Sequence, residues 1–375
     1  MRFSCEQQAL NAALSLVSRC VPSRPTHPIL ANIHLETVDD SKLRVTGFDL
    51  SLGISIDIDA AIDKPGKITA PAKLILDIIS KLPVGEVYLS VVDDDQQGLS
   101  VNVTPASSGG NFSIRAIAAS EYPEFPEVTD SSPVSIPAGL LLEGISKTVF
   151  STSSDEAKQV LVGVHMEVVG ETLEMAATDG HRLSVVTLAH ESESPLEVTI
   201  PSRSLSELQR LLAKKESAEA VEMVVSHGMA KFQVGDSVLV TRTREGTYPQ
   251  YRQLIPRQFA RNLVCDRKQL SAALDRIGVL ASNNMVVLEI DSTEQTLVIS
   301  CEVPSVGAAK ESMSVQVSGE PISLGMNIKY LREGLNAMSA KEVIINLNEN
   351  LQPVIINPLD ATKMTYLCMP VQIRN

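Results

Sequence analysis

The chain contains no tryptophan, and aromatic residues make up only 3% of it. Its cores must therefore be built from Val, Ile, Leu, Ala and Met, which favours strands and regular helices over an aromatic-lined ligand cavity. The five cysteines, Cys5, Cys20, Cys265, Cys301 and Cys368, stand far apart, with no CxxC pair and no histidine at metal-ligand spacing. They read as small buried apolar residues of a reducing compartment, with no metal or cofactor to hold. No run of 18 apolar residues occurs, and the opening MRFSCEQQAL has no apolar signal core. A cytoplasmic protein without membrane association is expected. Positive charge is scarce as well: the net charge is −13 at pH 7, which disfavours a polyanionic partner if the charge is evenly spread.

What is present is repetition. With 375 residues, 44% of them hydrophobic, the chain is long enough for two or three domains. A short strand followed by an amphipathic helix opens at Phe3 (FSCEQQALNAALSLVSRCV), at Val134 (VSIPAGLLLEGISKTVFSTS) and at Leu263 (LVCDRKQLSAALDRIGVLAS). A second strand-helix passage follows each, at Lys67, Val198 and Pro321. Alternating runs such as LSLGISIDIDA, with Leu50, Leu52, Ile54, Ile56 and Ile58 in step, predict half-buried antiparallel strands. Linkers rich in proline and polar residues, AASEYPEFPEVTDSSP and TYPQYRQLIPRQFARN, place boundaries after residues 127 and 258. The expected architecture is three similar α+β domains, 1–127, 128–258 and 259–375, each with two helices on antiparallel sheets.

The charge is not evenly spread. Predicted helices at 7–19, 72–81, 138–149, 203–215, 267–281 and 327–338 hold thirteen basic residues, among them Lys73, Arg203, Arg210 and Lys214, against five acidic ones. A solvated helix face ordinarily carries both signs in similar number. The excess predicts that the helices share a surface facing a polyanion. No zinc-finger or RNP signature accompanies it, so binding would be to phosphates and blind to sequence.

The segments MRFSCEQQAL, SRPTHPILANIHLE, LRVTGFDLSL, ATDGHRL, GTYPQYRQLIP and TYLCMPVQIRN occur in that order along the whole chain. Together they resemble the bacterial DNA polymerase III beta subunit, the replicative sliding clamp. The resemblance implies a non-catalytic, cofactor-free processivity factor: a head-to-tail homodimeric ring around duplex DNA, lined by helices and walled by sheets. It implies partners in the polymerase alpha subunit, a clamp loader and other proteins carrying a clamp-binding motif. It implies DNA contacts at Arg24 and Lys73, to which the basic helices add Arg203 and Arg210, with Lys158 in the loop STSSDEAKQ, which departs from the family pattern in lacking an aromatic residue and carrying Asp155 and Glu156. At the subunit junction it implies Phe112, Ile114 and Leu280, which equally fit ordinary core positions.

The run AATDGHRLSVV, with Asp179, His181 and Arg182 beside Thr178 and Ser184, invites a hydrolase reading in which Asp179, His181 and a serine form the site. Such a site needs a base within hydrogen-bond reach of a nucleophile and a third group to orient it. An Asp-Gly turn joining two strands explains Asp179 and Gly180 without chemistry. The resemblance implies a third role: a groove docking short peptides, made by Leu161, Thr178, Gly180, His181, Arg182 and Leu183, with Pro249, Leu254, Leu367, Met369, Pro370 and Val371. Leu, Met and Pro would form an apolar trough, while His181 and Arg182 would hydrogen-bond the peptide. A protein-only scaffold that never meets DNA is the remaining alternative.

Overall fold

Each of the six α-helices starts directly after a short strand, so the chain turns from extended to helical at six matching places. The computed structural model describes residues 1–373 except 95–97, 108, 130, 193, 214 and 305; Lys214 thus lies outside the described residues. The helices are α1 (Gln7–Val17), α2 (Ala72–Lys81), α3 (Ala138–Thr148), α4 (Ser202–Leu212), α5 (Arg267–Ile277) and α6 (Ile328–Asn336). Asp266 caps α5 by accepting from Gln269 N at 2.9 Å, and Asn327 caps α6 by accepting from Lys329 N at 3.0 Å, as short polar side chains do at helix starts. The observed starts agree with the sequence reading to within one residue, but five of the six ends come earlier. After α1 and α3 the chain tightens into 3₁₀ turns at Ser18–Cys20 and Val149–Ser151, a common way for a helix to close. Helix α5 stops at Gly278, whose N–H still reaches Leu274 O at 2.8 Å.

By compactness the chain forms two units, Met1–Ala138 with Arg210–Thr243, and Gly139–Gln209 with Arg244–Asn375. The first holds an eight-stranded antiparallel sheet in the order Val134–Pro137, Ala220–Ser226, Met229–Val234, Ser237–Arg242, Leu52–Asp59, Lys42–Phe48, Asn32–Thr37, Lys67–Pro71. Its second sheet runs Ala61–Lys64, Arg2–Glu6, Glu86–Asp94, Gly98–Pro105, Phe112–Arg115. Leu10, Leu14 and Val17 of α1 and Ile75 and Ile79 of α2 are fully buried, and α1 packs on α2 and on the strands Lys42–Phe48 and Leu52–Asp59. A Cβ at Gly47 would lie 2.2 Å from the Val17 carbonyl oxygen, so only glycine lets the strand pass so close to the end of α1. The strand expected from Leu50 begins at Leu52 and is buried on both faces from Leu52 to Ser55, because it lies inside a wide sheet.

The second unit repeats the scheme. Its nine-stranded sheet runs Leu196–Pro201, Gly163–Val169, Thr172–Thr178, Arg182–Ala189, Met364–Cys368, Val354–Pro358, Glu342–Leu347, Arg261–Asp266, Gln316–Ser318, and its four-stranded sheet Gly307–Ser314, Thr296–Val303, Met285–Asp291, Ile322–Asn327. In both wide sheets the last strand of one repeat completes the sheet of the repeat before it: Ser237–Arg242 pairs with Leu52–Asp59, and Met364–Cys368 with Arg182–Ala189. One strand of each kind is left at a sheet edge, Phe112–Arg115 and Gly307–Ser314.

Candidate functional site

The AATDGHRLSVV segment is a strand, a tight turn and a strand. Asp179 Oδ1 accepts from the backbone N–H of His181 at 2.9 Å and of Arg182 at 3.1 Å, and Thr178 Oγ1 donates to Arg182 O at 2.6 Å. Gly180 takes φ +94°, a region that costs any residue with a Cβ. The hydrolase arrangement is absent from this geometry: the Asp179 carboxylate is spent on the turn and on Arg182 Nε, at 3.0 Å, and orients no imidazole.

The strand Met364–Cys368, far along the chain, lies beside this turn. Arg182 pairs with Cys368 and Leu183 with Leu367, and Met369 N donates to His181 O at 2.9 Å. An apolar cluster results. Ala176, Leu183, Val185, Tyr248, Tyr251, Ile355 and Leu367 are its buried members, and Val160, Leu161, Ile255, Phe259 and Met369 pack on it half-buried. Of the expected groove residues, Leu161, Leu183, Leu367 and Met369 are thus brought together, the two inner leucines as its floor. Thr178, Gly180 and His181 form the adjoining turn. Leu254 is 55% exposed and Val371 39%; with Pro249 and Pro370, they stand outside the packed cluster.

The linker before Phe259 is held down by aromatic contacts. Tyr248 stacks on His165 with centroids 4.8 Å apart, and its hydroxyl accepts from Thr178 N at 3.1 Å. Tyr251 donates its hydroxyl to Glu174 at 2.6 Å, and the same carboxylate accepts from Arg252 Nε at 3.0 Å. Burial pushes the phenol of Tyr248 up and the imidazole of His165 down, which keeps both neutral near pH 7.

Several expectations need correction. Arg182 does not face outward: its side chain is 7% exposed, and it donates to Asp179, to Glu333 and to the Phe150 carbonyl. The guanidinium lies 4.5 Å from the Tyr330 ring centroid. Burial works against its charge, but the Glu333 and Asp179 carboxylates outweigh it and its pKa is raised. Arg182 therefore builds the turn, with Nε, Nη1 and Nη2 each donating within the chain. Ile114 is 1% exposed, opposite Val101, because its strand turns this side chain inward; it is a core residue of its own unit. Phe112 is 39% exposed and Leu280 half-buried. Several of the helix cations are also engaged by other groups of the chain. Lys147 pairs with Glu143, Arg276 with Glu311 at 2.7 Å and Arg332 with Asp275 at 2.6 Å, while Arg267 donates to the Ala340 carbonyl at 2.8 Å. Arg24, Lys73, Arg203 and Arg210 are exposed, and so is Lys158, whose Nζ donates to Asp179 O at 2.8 Å.

Three domain models of the DNA polymerase III beta subunit match in order: the N-terminal domain over residues 1–126, the central domain over 135–250 and the C-terminal domain over 252–372. The chain belongs to the DNA polymerase III beta subunit family. Within this family, a Beta sliding clamp from Synechococcus elongatus is 43% identical over 381 residues, with all of both chains covered. Among solved structures, the DNA polymerase sliding clamp from Bacillus subtilis superimposes with a TM-score of 0.92 at 27% identity, and a sliding clamp from Pseudomonas aeruginosa bound to griselimycin with 0.90 at 27%, each covering both chains entirely.

Val160, Val185, Tyr248, Tyr251, Ile255, Ile355 and Phe259 join the apolar cluster without being singled out by the sequence pattern. A signal for the tyrosines is present. Tyr-Pro followed after one residue by an aromatic occurs in both linkers, at Tyr122-Pro123-Glu124-Phe125 and at Tyr248-Pro249-Gln250-Tyr251. Tyr122 stacks on His34 at 5.4 Å as Tyr248 does on His165, so the motif pins each linker to the sheet beneath it.

Proposed function

We propose that this chain is a sliding clamp: two copies close head to tail around duplex DNA and tether the replicative polymerase, its loader and other partners through the groove beside Gly180 and Met369. The observation that carries the reading is the sheet pairing. Twice within the chain the last strand of one repeat completes the sheet of the repeat before it, and the two strands left over, Phe112–Arg115 and Gly307–Ser314, are of the two complementary kinds. Pairing them between copies is a heterologous contact, which closes into a ring when the rotation permits. Phe112 and Leu280 are the exposed or half-exposed apolar residues available to that junction.

Arg24, Lys73, Arg203 and Arg210, with Lys158, are the cations proposed to meet the phosphates. A topological link requires no base readout, in keeping with contacts that position without specifying. In the groove, His181 is exposed and available to a peptide, while Arg182 acts by holding the turn. Truncating one apolar anchor of the groove should cost on the order of 1 to 3 kcal/mol of peptide affinity. The deciding experiment loads the protein on nicked circular DNA and then linearises the circle. A clamp is retained on the circle and released by the cut. A hydrolase or a protein-only scaffold gives no such dependence on topology, and retention that survives linearisation would sink the reading.

A further inference from the structure

We propose that the first unit carries a second peptide-docking pocket, at the place in the first repeat that corresponds to the groove of the second; its ligand class rests on the groove reading above. The local geometry is the same in both places. Asp49 Oδ1 accepts from Ser51 N at 2.9 Å and Leu52 N at 2.7 Å, as Asp179 does from His181 and Arg182. A 3₁₀ segment, Pro28–Ala31, leads into the strand that bears His34, as Glu156–Val162 leads into the strand that bears His165. The Tyr-Pro linker then crosses over that histidine in each.

Where these pieces meet in the first unit there is a cavity of about 440 Å³, walled by Pro28, Ile29, Leu30, Leu50, Ile117 and Pro123. His27 and Glu121 supply its polar groups. The volume suits one or two apolar side chains, and the walls are set in advance. Phe125 packs edge-on against Phe48 at 5.9 Å, and Tyr122 stacks on His34, so the linker is already anchored.

Leu50 is the telling residue. It adopts φ +75° where the matching turn has Gly180 at +94°, and its side chain is 42% exposed. A bulky apolar residue in a left-handed turn costs free energy that glycine would avoid, and such strain concentrates where ligands are held. The occupant follows from the walls. One carboxylate and one imidazole give no cationic cradle for phosphate, but they suit the N–H and C=O groups of an extended backbone whose apolar side chain enters the cavity.

The test titrates the full chain, labelled at isoleucine and leucine methyls, with a peptide copied from the docking segment of the polymerase alpha subunit. Two sets of shifts are expected, one at Leu161 and Leu367 and a second, saturating at higher concentration, at Leu30 and Ile117. Deleting residues 369–375 should abolish the first and spare the second. Leu50→Glu should abolish the second and spare the first, and Leu50→Gly, which relaxes the turn, should weaken the second at least fivefold. If the methyls of Leu30 and Ile117 never move while the groove responds, the second pocket is overturned and the groove stands. If they move and respond to the Leu50 variants while the groove stays silent, the groove reading fails and the pocket stands. Silence at both overturns both.

Discussion

Arg182 joins three parts of its unit through one guanidinium: the turn at Asp179, the 3₁₀ turn after α3 at Phe150 and α6 at Glu333. Removing it would leave the nearly buried Asp179 without its cation and Glu333 with only the Lys329 ammonium, 4.0 Å away. Arg182→Ala should therefore lower stability by about 3 kcal/mol, read as a fall in the denaturant midpoint. Arg182→Lys should recover little, because an ammonium cannot span three acceptors in a fixed fork. An alanine variant that melts like the parent but loses peptide binding would return Arg182 to the peptide-binding role that its place in the turn suggests. The sequence misleads at this residue for a definable reason. The Asp-Gly turn is legible from four adjacent letters, but Glu333 lies 151 positions away, and nothing local marks it as the partner that draws the side chain inward.

At the scale of elements, helix starts are legible because each has a strand before it and apolar spacing after it. Helix ends are less so, since a 3₁₀ turn and an α turn share the same letters. Sheet order is not legible at all: the strand from Leu52 is buried by Ser237–Arg242, which belongs to another repeat. The unpaired edges make a sharp prediction. Ala116 N donates to Leu99 O at 2.9 Å, so by antiparallel alternation the N–H groups of Phe112 and Ile114 also face the neighbouring strand, and those of Ser113 and Arg115 face outward. Ser113→Pro removes an outward donor without touching the sheet inside. If the edge pairs with Gly307–Ser314 of a second copy, light scattering at low micromolar concentration should find the dimer converted to a monomer of 40.4 kDa, with unchanged circular dichroism. An unaltered dimer would place the junction elsewhere.

For the whole molecule, net charge misleads in one direction and the helix count in the other. An acidic chain does expose Arg24, Lys73 and Arg210, yet several helix cations are tied to carboxylates or carbonyls. Counting letters cannot distinguish a paired arginine from an outward one. Binding to short linear duplex should accordingly be weak and shallow in salt. Reversing Arg24, Lys73 and Arg210 to Glu should weaken it further and flatten the slope of log affinity against log salt by about 0.9 for each phosphate left without its cation. The melting temperature should hardly move for the Arg24 and Lys73 reversals taken alone, since both side chains are exposed. Salt-insensitive binding that favours one sequence would contradict a phosphate-only interface.

The two strand joins inside the chain each run through five residue pairs, Leu52–Ile56 with Ser237–Thr241 and Arg182–Val186 with Met364–Cys368. If Phe112–Arg115 is the strand offered to a second copy, it brings only four residues to the join. A closed circuit parts at its weakest link, and on this reading the shortest zipper would be the one between molecules. Opening for DNA entry would then unfasten a junction between molecules while the five-pair joins within the chain hold.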